Sequence, residues 1–123
     1  MIGYITIGTN DLPAAKAFYD ALFEGQEVRL IYENDTMVTY GFGRDKPALL
    51  VTKPYDGHPA ESGNGPMVAL SVADKDTVDL LHARALQLGA LDEGAVGWRG
   101  DNFYGGYFRD LDGNKLNFYI WRS

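Results

Sequence analysis

An internal repeat at an offset of 63 residues is the feature that most constrains the fold. Ile5 and Ile7 align with Val68 and Leu70, and both pairs lie in segments that alternate like half-buried strands. Asp11 aligns with Asp74, and a helical hydrophobic pattern follows each of them. Because strand, N-cap and helix agree at one offset, the sequence predicts two copies of one β-α-β-β-β module.

The first copy is predicted to begin with a strand over residues 3–9, followed by strands 27–32, 36–42 and 48–52. Asn10 or Asp11 caps the helix between the first two of these strands, with Pro13 in its first turn. Gly25 ends this helix. Its buried stripe is predicted to comprise Leu12, Ala15, Tyr19, Leu22 and Phe23.

The second copy is predicted to contain strands 67–73, 92–98, 103–109 and 115–121. The last two strands are joined by Asp112-Gly113-Asn114, which is a strong hairpin signal. Asp74 caps the helix and Gly89 closes it. The predicted buried stripe of this helix comprises Val78, Leu81, Ala85 and Leu88.

These elements predict an α+β fold in a single domain spanning residues 1–123. The halves cover about 1–53 and 66–123, and a Pro/Gly-rich loop, 54–65, joins them. A sheet with one apolar face under a helix leaves its other face free. We therefore expect the duplicated βαβββ modules to form an open, curved mixed sheet with a central cleft.

The composition excludes several classes of site. The chain has no cysteine, which excludes disulfides, thiolate metal sites and a cysteine nucleophile, and fits a reducing compartment. Its net charge of −6 argues against nucleic-acid binding, which needs clustered Lys and Arg. No apolar run approaches the roughly 20 residues of a membrane span, and MIGYITIG does not read as a signal peptide. We expect a cytoplasmic protein without membrane or nucleic-acid partners.

The C-terminal hairpin carries a family resemblance. The segment YFRDLDGNKLN, residues 107–117, resembles the closing motif "YFxDPDGNxIE" of the vicinal oxygen chelate superfamily. Residues 7–12, with Phe18-Tyr19 in the following helix, resemble the opening strand and helix of that family. The resemblance covers essentially the whole chain. The family includes glyoxalase I, extradiol dioxygenases, epimerases, fosfomycin-modifying enzymes and bleomycin-sequestering proteins.

The resemblance also implies where a metal would be held, by His, Glu or Gln near the start of each half's first strand and in its last strand. In this chain those positions fall on Tyr4, Met67, Leu50 and Asn117, with Leu50 placed to within about a residue. Phenol, thioether, alkyl and amide groups are poor ligands for divalent transition metals at neutral pH. We therefore expect no metal or other cofactor, and neither glyoxalase nor dioxygenase chemistry, since both need the metal.

Period-two alternation, together with the resemblance, predicts an aromatic cleft with a few polar groups. Asn117 is a candidate ligand contact because a buried amide must find partners. The predicted lining is Tyr4, Thr6, Met67, Trp98, Arg99, Phe103, Tyr107, Asn117 and Tyr119.

Each candidate has a structural alternative. The tyrosines Tyr4, Tyr107 and Tyr119 would also fill a collapsed barrel, and Met67 would serve simply as packing. The loop around Trp98 and Arg99 would equally form a subunit contact or an ordinary turn.

Three charged or titratable side chains complete the candidates. Arg109 is expected to pair with Asp110 or Asp112 unless it binds an anionic ligand. His58 is either a surface residue or a general base beside Asp56 and Tyr55, and His82 is expected to face solvent.

Three functions remain open at this point. The first is a binding module that holds a small organic ligand in the aromatic cleft without the usual metal. The second is a metal-independent enzyme of the lyase or isomerase type, and the third is an enzyme whose metal is held elsewhere by Asp and Glu. A homodimer is expected by resemblance, since family members commonly dimerise.

Overall fold

The computed structural model describes residues 1–122, and Ser123, the last residue of the predicted domain, lies outside the described residues. Contacts divide the chain into two compact units, Met1–Ser62 and Gly63–Ser123. The first module contains β1 (Tyr4–Gly8), α1 (Leu12–Leu22), β2 (Arg29–Glu33), β3 (Met37–Gly41) and β4 (Ala48–Thr52). The second contains β5 (Val68–Ser71), α2 (Lys75–Gln87), β6 (Leu91–Arg99), β7 (Phe103–Arg109) and β8 (Lys115–Trp121).

The two modules have the same strand topology. Their sheets have the orders β1-β4-β3-β2 and β5-β8-β7-β6. The pairs β1–β4 and β5–β8 are parallel, and the remaining pairs are antiparallel. This confirms the predicted α+β fold of duplicated βαβββ modules, with a four-stranded mixed sheet in each. The central cleft between the halves stays a prediction.

Both helices begin at the predicted aspartates. The carboxylate of Asp11 accepts a hydrogen bond from the Ala14 N–H at 3.0 Å, and that of Asp74 accepts one from the Thr77 N–H at 2.8 Å. Hydrogen bonds from the Thr77 hydroxyl and N–H hold the pKa of Asp74 below its ordinary value, because they favour the ionised form. No helix among residues 1–122 is long and apolar enough to cross a bilayer.

The C-terminus of α2 forms a Schellman motif. The Gly89 N–H bonds to the Leu86 carbonyl at 3.1 Å, and the Ala90 N–H bonds to the Ala85 carbonyl at 3.0 Å. Gly89 has a φ of 106°, which a residue with a side chain rarely adopts. The glycine therefore lets the chain turn directly from α2 into β6.

Each helix is joined to its sheet by a tyrosine–aspartate hydrogen bond. The Tyr40 hydroxyl on β3 donates to Asp20 of α1 at 2.8 Å, and the Tyr104 hydroxyl on β7 donates to Asp79 of α2. Burial and the bond to Asp20 raise the pKa of the Tyr40 phenol. These bonds mark the helix-covered face of each sheet. The residues that alternate with Tyr40 and Tyr104 lie on the other face, called here the open face.

His82 is buried, which contradicts the expectation that it faces solvent. Its Nε2 lies 3.1 Å from the Tyr107 carbonyl oxygen and 3.5 Å from Asp92 Oδ1. Both neighbours are acceptors, so Nε2 carries a proton. The position belongs to the helix stripe facing β7, where Gly106 has no side chain and so leaves room for the imidazole.

The partner of Arg109 also differs from the prediction. Its guanidinium bonds to Glu93 Oε1 at 2.6 Å and to the Gly113 carbonyl at 3.0 Å, rather than to Asp110 or Asp112. Asp110 instead stabilises the hairpin turn, because its Oδ1 accepts a hydrogen bond from the Asn114 N–H at 2.9 Å. The acidic partner of Arg109 is therefore Glu93, which lies on the neighbouring strand β6.

Gly106→Ala is expected to destabilise the protein. A Cβ there would stand 2.8 Å from His82 Cδ2 and 2.7 Å from Val96 Cγ1, which is overpacking. Such overpacking typically costs about 1–3 kcal/mol of unfolding free energy, measurable by urea denaturation. Gly65→Ala is the matched control, since no atom lies within 4 Å of its Cβ position. Equal stability of the two variants would contradict the described packing of His82.

Candidate functional site

Strand register identifies equivalent positions in the two modules. Thr6 of β1 pairs with Leu50 of β4, and Ala69 of β5 pairs with Asn117 of β8. Since Thr6 and Ala69 are related by the repeat offset, Leu50 and Asn117 occupy the same place in their sheets. The resemblance puts the first module's metal-ligand position at Leu50, the register equivalent of Asn117, and that placement stays a prediction.

The donors at these positions do not suit a transition metal. On the open face of the first module, Tyr4 offers a phenol, Thr6 a hydroxyl and Leu50 an alkyl chain. In the second module Met67, exposed and one residue before β5, offers a thioether, and Asn117 a carboxamide. Divalent transition metals prefer imidazole, carboxylate or thiolate. Among residues 1–122, no group of three or more His, Cys, Asp or Glu is arranged to hold a metal ion.

Asn117 is the most unusual polar residue of the open faces. None of its surface is exposed, and neither Nδ2 nor Oδ1 has a hydrogen-bond partner. It lies on the open face because its strand neighbours Leu116 and Phe118 are buried in the alternate phase. Leaving a buried polar group without a partner costs about 1–3 kcal/mol. The Asn117 side chain therefore has one acceptor oxygen and two N–H donors that are available to hydrogen-bond with a partner.

Three rings are aligned on the same open face. Phe103 stacks on Tyr119 with centroids 5.2 Å apart and an interplanar angle of 7°. Phe103 and Tyr107 are also stacked, with centroids 6.5 Å apart. Between them on β7, Gly105 has no side chain, and a Cβ there would stand only 2.8 Å from Phe103 Cε1. The glycine allows the rings to form a continuous row, which is called here the aromatic row.

Two cations lie against this row. The Arg99 guanidinium and the Lys115 ammonium each lie 5.5 Å from the Tyr107 ring centroid. Arg99 is already engaged, because its guanidinium donates to the Ala95 carbonyl at 2.7 Å and to the Gly97 carbonyl at 3.0 Å. It thus supports the irregular part of β6 while it covers the tyrosine ring.

Trp98 lies apart from the other predicted site residues. It pairs with Tyr104 in register, and the two rings meet edge to face at 5.3 Å. Lys75 of α2 and Arg122 lie over its indole, the latter at 4.3 Å. Since Tyr104 bonds to α2, Trp98 belongs to the helix-covered side of its sheet and not to the open face with Tyr107.

The first module has its own cavity of about 990 Å³ over its open face. It is lined by Tyr4, Thr6 and Leu50 and by the loop carrying Lys53 and His58. His58 Nδ1 lies 3.6 Å from Asp56 Oδ2 at the exposed side. Sequence reasoning considered His58 but not the way its loop is attached to the module.

That attachment depends on Asn10 and Gly8. The Asn10 amide accepts the Ala60 N–H at 2.7 Å and donates to the Ala60 carbonyl at 3.2 Å. A Cβ on Gly8 would stand 3.0 Å from that of Ala60, so the glycine allows the close approach. In the sequence, the only indication of this attachment is the segment Gly8-Thr9-Asn10, which predicts a strand end and a helix cap but not a contact with Ala60.

Asn117→Leu is expected to stabilise the ligand-free protein. The substitution replaces an unpartnered buried amide with an apolar group of similar size, so unfolding free energy should rise by about 1–3 kcal/mol in urea denaturation. The matched control is Asn114→Leu, because the Asn114 amide is also buried but donates to Asp110 Oδ2 at 3.0 Å. That variant should lose stability. If both lose stability alike, Asn117 has a structural partner.

The comparisons with known proteins agree with this architecture. The model of the Glyoxalase/Bleomycin resistance protein/Dioxygenase superfamily matches residues 1–118. A crystal structure of a glyoxalase/bleomycin resistance protein from Albidiferax ferrireducens T118 is 30% identical, with 97% of each chain covered and a TM-score of 0.86. No curated protein matches significantly.

Two further structures are similar at lower identity and show the fold alone. Lactoylglutathione lyase from Agrobacterium tumefaciens is 23% identical, with 97% of this chain and 92% of that chain covered and a TM-score of 0.72. A glyoxalase-related enzyme from Fulvimarina pelagi is 20% identical, with 97% and 86% covered and a TM-score of 0.79. With its repeat, its closing hairpin and the family match over residues 1–118, the chain belongs to the glyoxalase/bleomycin resistance protein/dioxygenase superfamily.

Proposed function

We propose that the protein binds a small organic molecule through aromatic and polar side chains of its open faces, without the family's usual metal. One observation carries the proposal: the register-equivalent positions expected to hold metal ligands contain Leu50 and Asn117. Tyr4 and Met67, at the matching first-strand positions, add no imidazole or carboxylate. What remains is a surface suited to stacking and hydrogen bonding.

The chemistry of these side chains separates this chain from the metal-dependent branches of its family. Glyoxalase I and extradiol dioxygenases use their metal to polarise the substrate or to hold oxygen. An alkyl chain cannot coordinate an ion, and a neutral amide oxygen binds hard cations only alongside other oxygen donors. Similarity to a lactoylglutathione lyase at 23% identity does not favour that activity here.

A metal-independent enzyme of the lyase or isomerase type is the second candidate. His58 favours it, since its imidazole lines the first module's cavity and has the Asp56 carboxylate 3.6 Å away. Tyr4 and Tyr55 line the same cavity. If this function holds, His58→Gln should abolish turnover while ligand binding persists.

We also propose a cytoplasmic homodimer. The absence of cysteine suits a reducing compartment. The surface of the first module supports self-association, because β2 is an edge strand whose Leu30, Ile31 and Tyr32 are all exposed. Exposed apolar edge strands promote association unless they are covered, and a second copy of this chain would cover this one.

The purified protein should retain far less than one mole of transition metal per mole of chain. Elemental analysis after incubation with Zn²⁺ and desalting measures this, and turnover of the methylglyoxal–glutathione hemithioacetal should be undetectable. The quadruple variant Tyr4→His/Leu50→Glu/Met67→His/Asn117→Glu is the positive control. It puts an imidazole and a carboxylate at the positions that the resemblance gives for each half, and it should retain Zn²⁺. Stoichiometric metal or robust turnover in the wild-type protein would refute the proposal.

Light scattering coupled to size exclusion should give the mass of two 13.6 kDa chains. Ile31→Lys should shift the protein towards the monomer, because it places a charge on the exposed edge strand. Leu80→Lys, at an exposed leucine of α2, is the matched control and should leave the dimer intact. A wild-type monomer, or equal effects of the two variants, would show that this strand is not an interface.

A further inference from the structure

The unpartnered amide of Asn117 specifies a ligand class for the open face of the second module. We propose that Asn117 recognises the amide edge of an uncharged planar ligand, such as an aromatic primary carboxamide or a lactam. The inference rests on the proposed function and deepens it. It starts from the observation that Nδ2 and Oδ1 are both buried and both without a partner.

The hydrogen-bonding pattern of the side chain selects the partner. A carboxamide presents an acceptor and a donor side by side. The group that satisfies both at once has an adjacent N–H and C=O, which is the edge of another amide. A carboxylate would leave Oδ1 facing lone pairs, and an ammonium would leave the Nδ2 protons without an acceptor.

The surroundings of Asn117 favour a planar molecule. Tyr119 follows it by two residues on β8, and Tyr107 is its register partner on β7, so rings of the aromatic row stand on two sides. Aromatic groups stack in offset or parallel arrangements with such rings. The nearby guanidinium of Arg99 is bonded to backbone carbonyls of its own strand and is therefore occupied.

In the proposed binding mode, a ligand approaches the buried amide from the β5 side of the sheet. Ala69, the register partner of Asn117 on that strand, is exposed and has a side chain of one methyl group. Lys115, Tyr107 and Tyr119 are half-buried, so solvent lies about one side-chain layer from Asn117. A ligand entering over Ala69 would have to displace these half-buried side chains.

The test uses four probes with the same ring system: 2-naphthamide, methyl 2-naphthoate, 2-naphthoate and 2-naphthamidine. Calorimetric titration of the full chain should show that 2-naphthamide binds most tightly. The ester has no N–H, the acid is an anion without a donor, and the amidinium has no acceptor. Each should bind about tenfold more weakly, as expected when one amide edge is left without partners.

Two substitutions of Asn117 make the test specific. Asn117→Leu should reduce binding of 2-naphthamide to the level of the ester. Asn117→Asp supplies acceptors only, so at alkaline pH it should reverse the order and prefer 2-naphthamidine. Asn102→Leu, an exposed amide in the turn before β7, is the control and should retain the wild-type order. If Asn117→Asp fails to fold, Asn117→Leu still decides the outcome.

The outcomes separate this inference from the proposed function. Equal binding of amide, ester and acid would overturn the reading of Asn117 while leaving an aromatic ligand site in place. Tighter binding of 2-naphthoate would assign the site to anions held by Lys115, which also overturns it. Binding of no probe, with an unrelated compound stabilising the wild type and Asn117→Leu equally, would overturn the inference but not the proposed function. Failure of every organic compound tested would overturn both.

Discussion

Parallel pairing of the first strand with the last strand of each module is the constraint on which the rest depends. It brings β1 beside β4 and β5 beside β8, with the helix crossing one face of the sheet. Side chains alternate between the two faces of a strand. When one residue packs against the helix, the residues before and after it in the strand therefore point to the opposite face. Leu116 and Phe118 are buried in this way, and Asn117 between them has to face the open side.

The alternation also explains how much of the structure the sequence predicts. The predicted strands 48–52, 103–109 and 115–121 match the observed bounds, because turn-forming residues flank each of them. In the last of these strands Leu116, Phe118 and Ile120 also alternate with polar or amphipathic residues. Both predicted helix caps are confirmed, since each aspartate carboxylate accepts a hydrogen bond from a backbone N–H of the first helical turn. Ile5 is more exposed than its pattern indicates, because burial depends on what covers a strand and periodicity does not report this.

The failures concern side chains whose partners are distant in sequence. His82 was expected in solvent because it is polar, yet its partner is a backbone carbonyl of β7, which no local pattern reveals. Arg109 was expected to pair with Asp110 or Asp112, but it bonds to Glu93 on the neighbouring strand β6. Trp98 was grouped with Arg99 as one loop, although consecutive strand residues point to opposite faces. In each case tertiary pairing overrides proximity along the chain.

The two modules differ in chemistry at Leu50 and Asn117, which strand register makes equivalent. Leu50 contributes an apolar side chain to the lining of a cavity of about 990 Å³ in the first module. Asn117 gives the second module a buried amide without a partner, which costs about 1–3 kcal/mol of stability. A residue that lowers stability without a structural partner is characteristic of functional sites, where local consistency is given up for recognition. Stability alone would favour a second leucine at 117, and this is why the proposed ligand site is centred on the amide of Asn117.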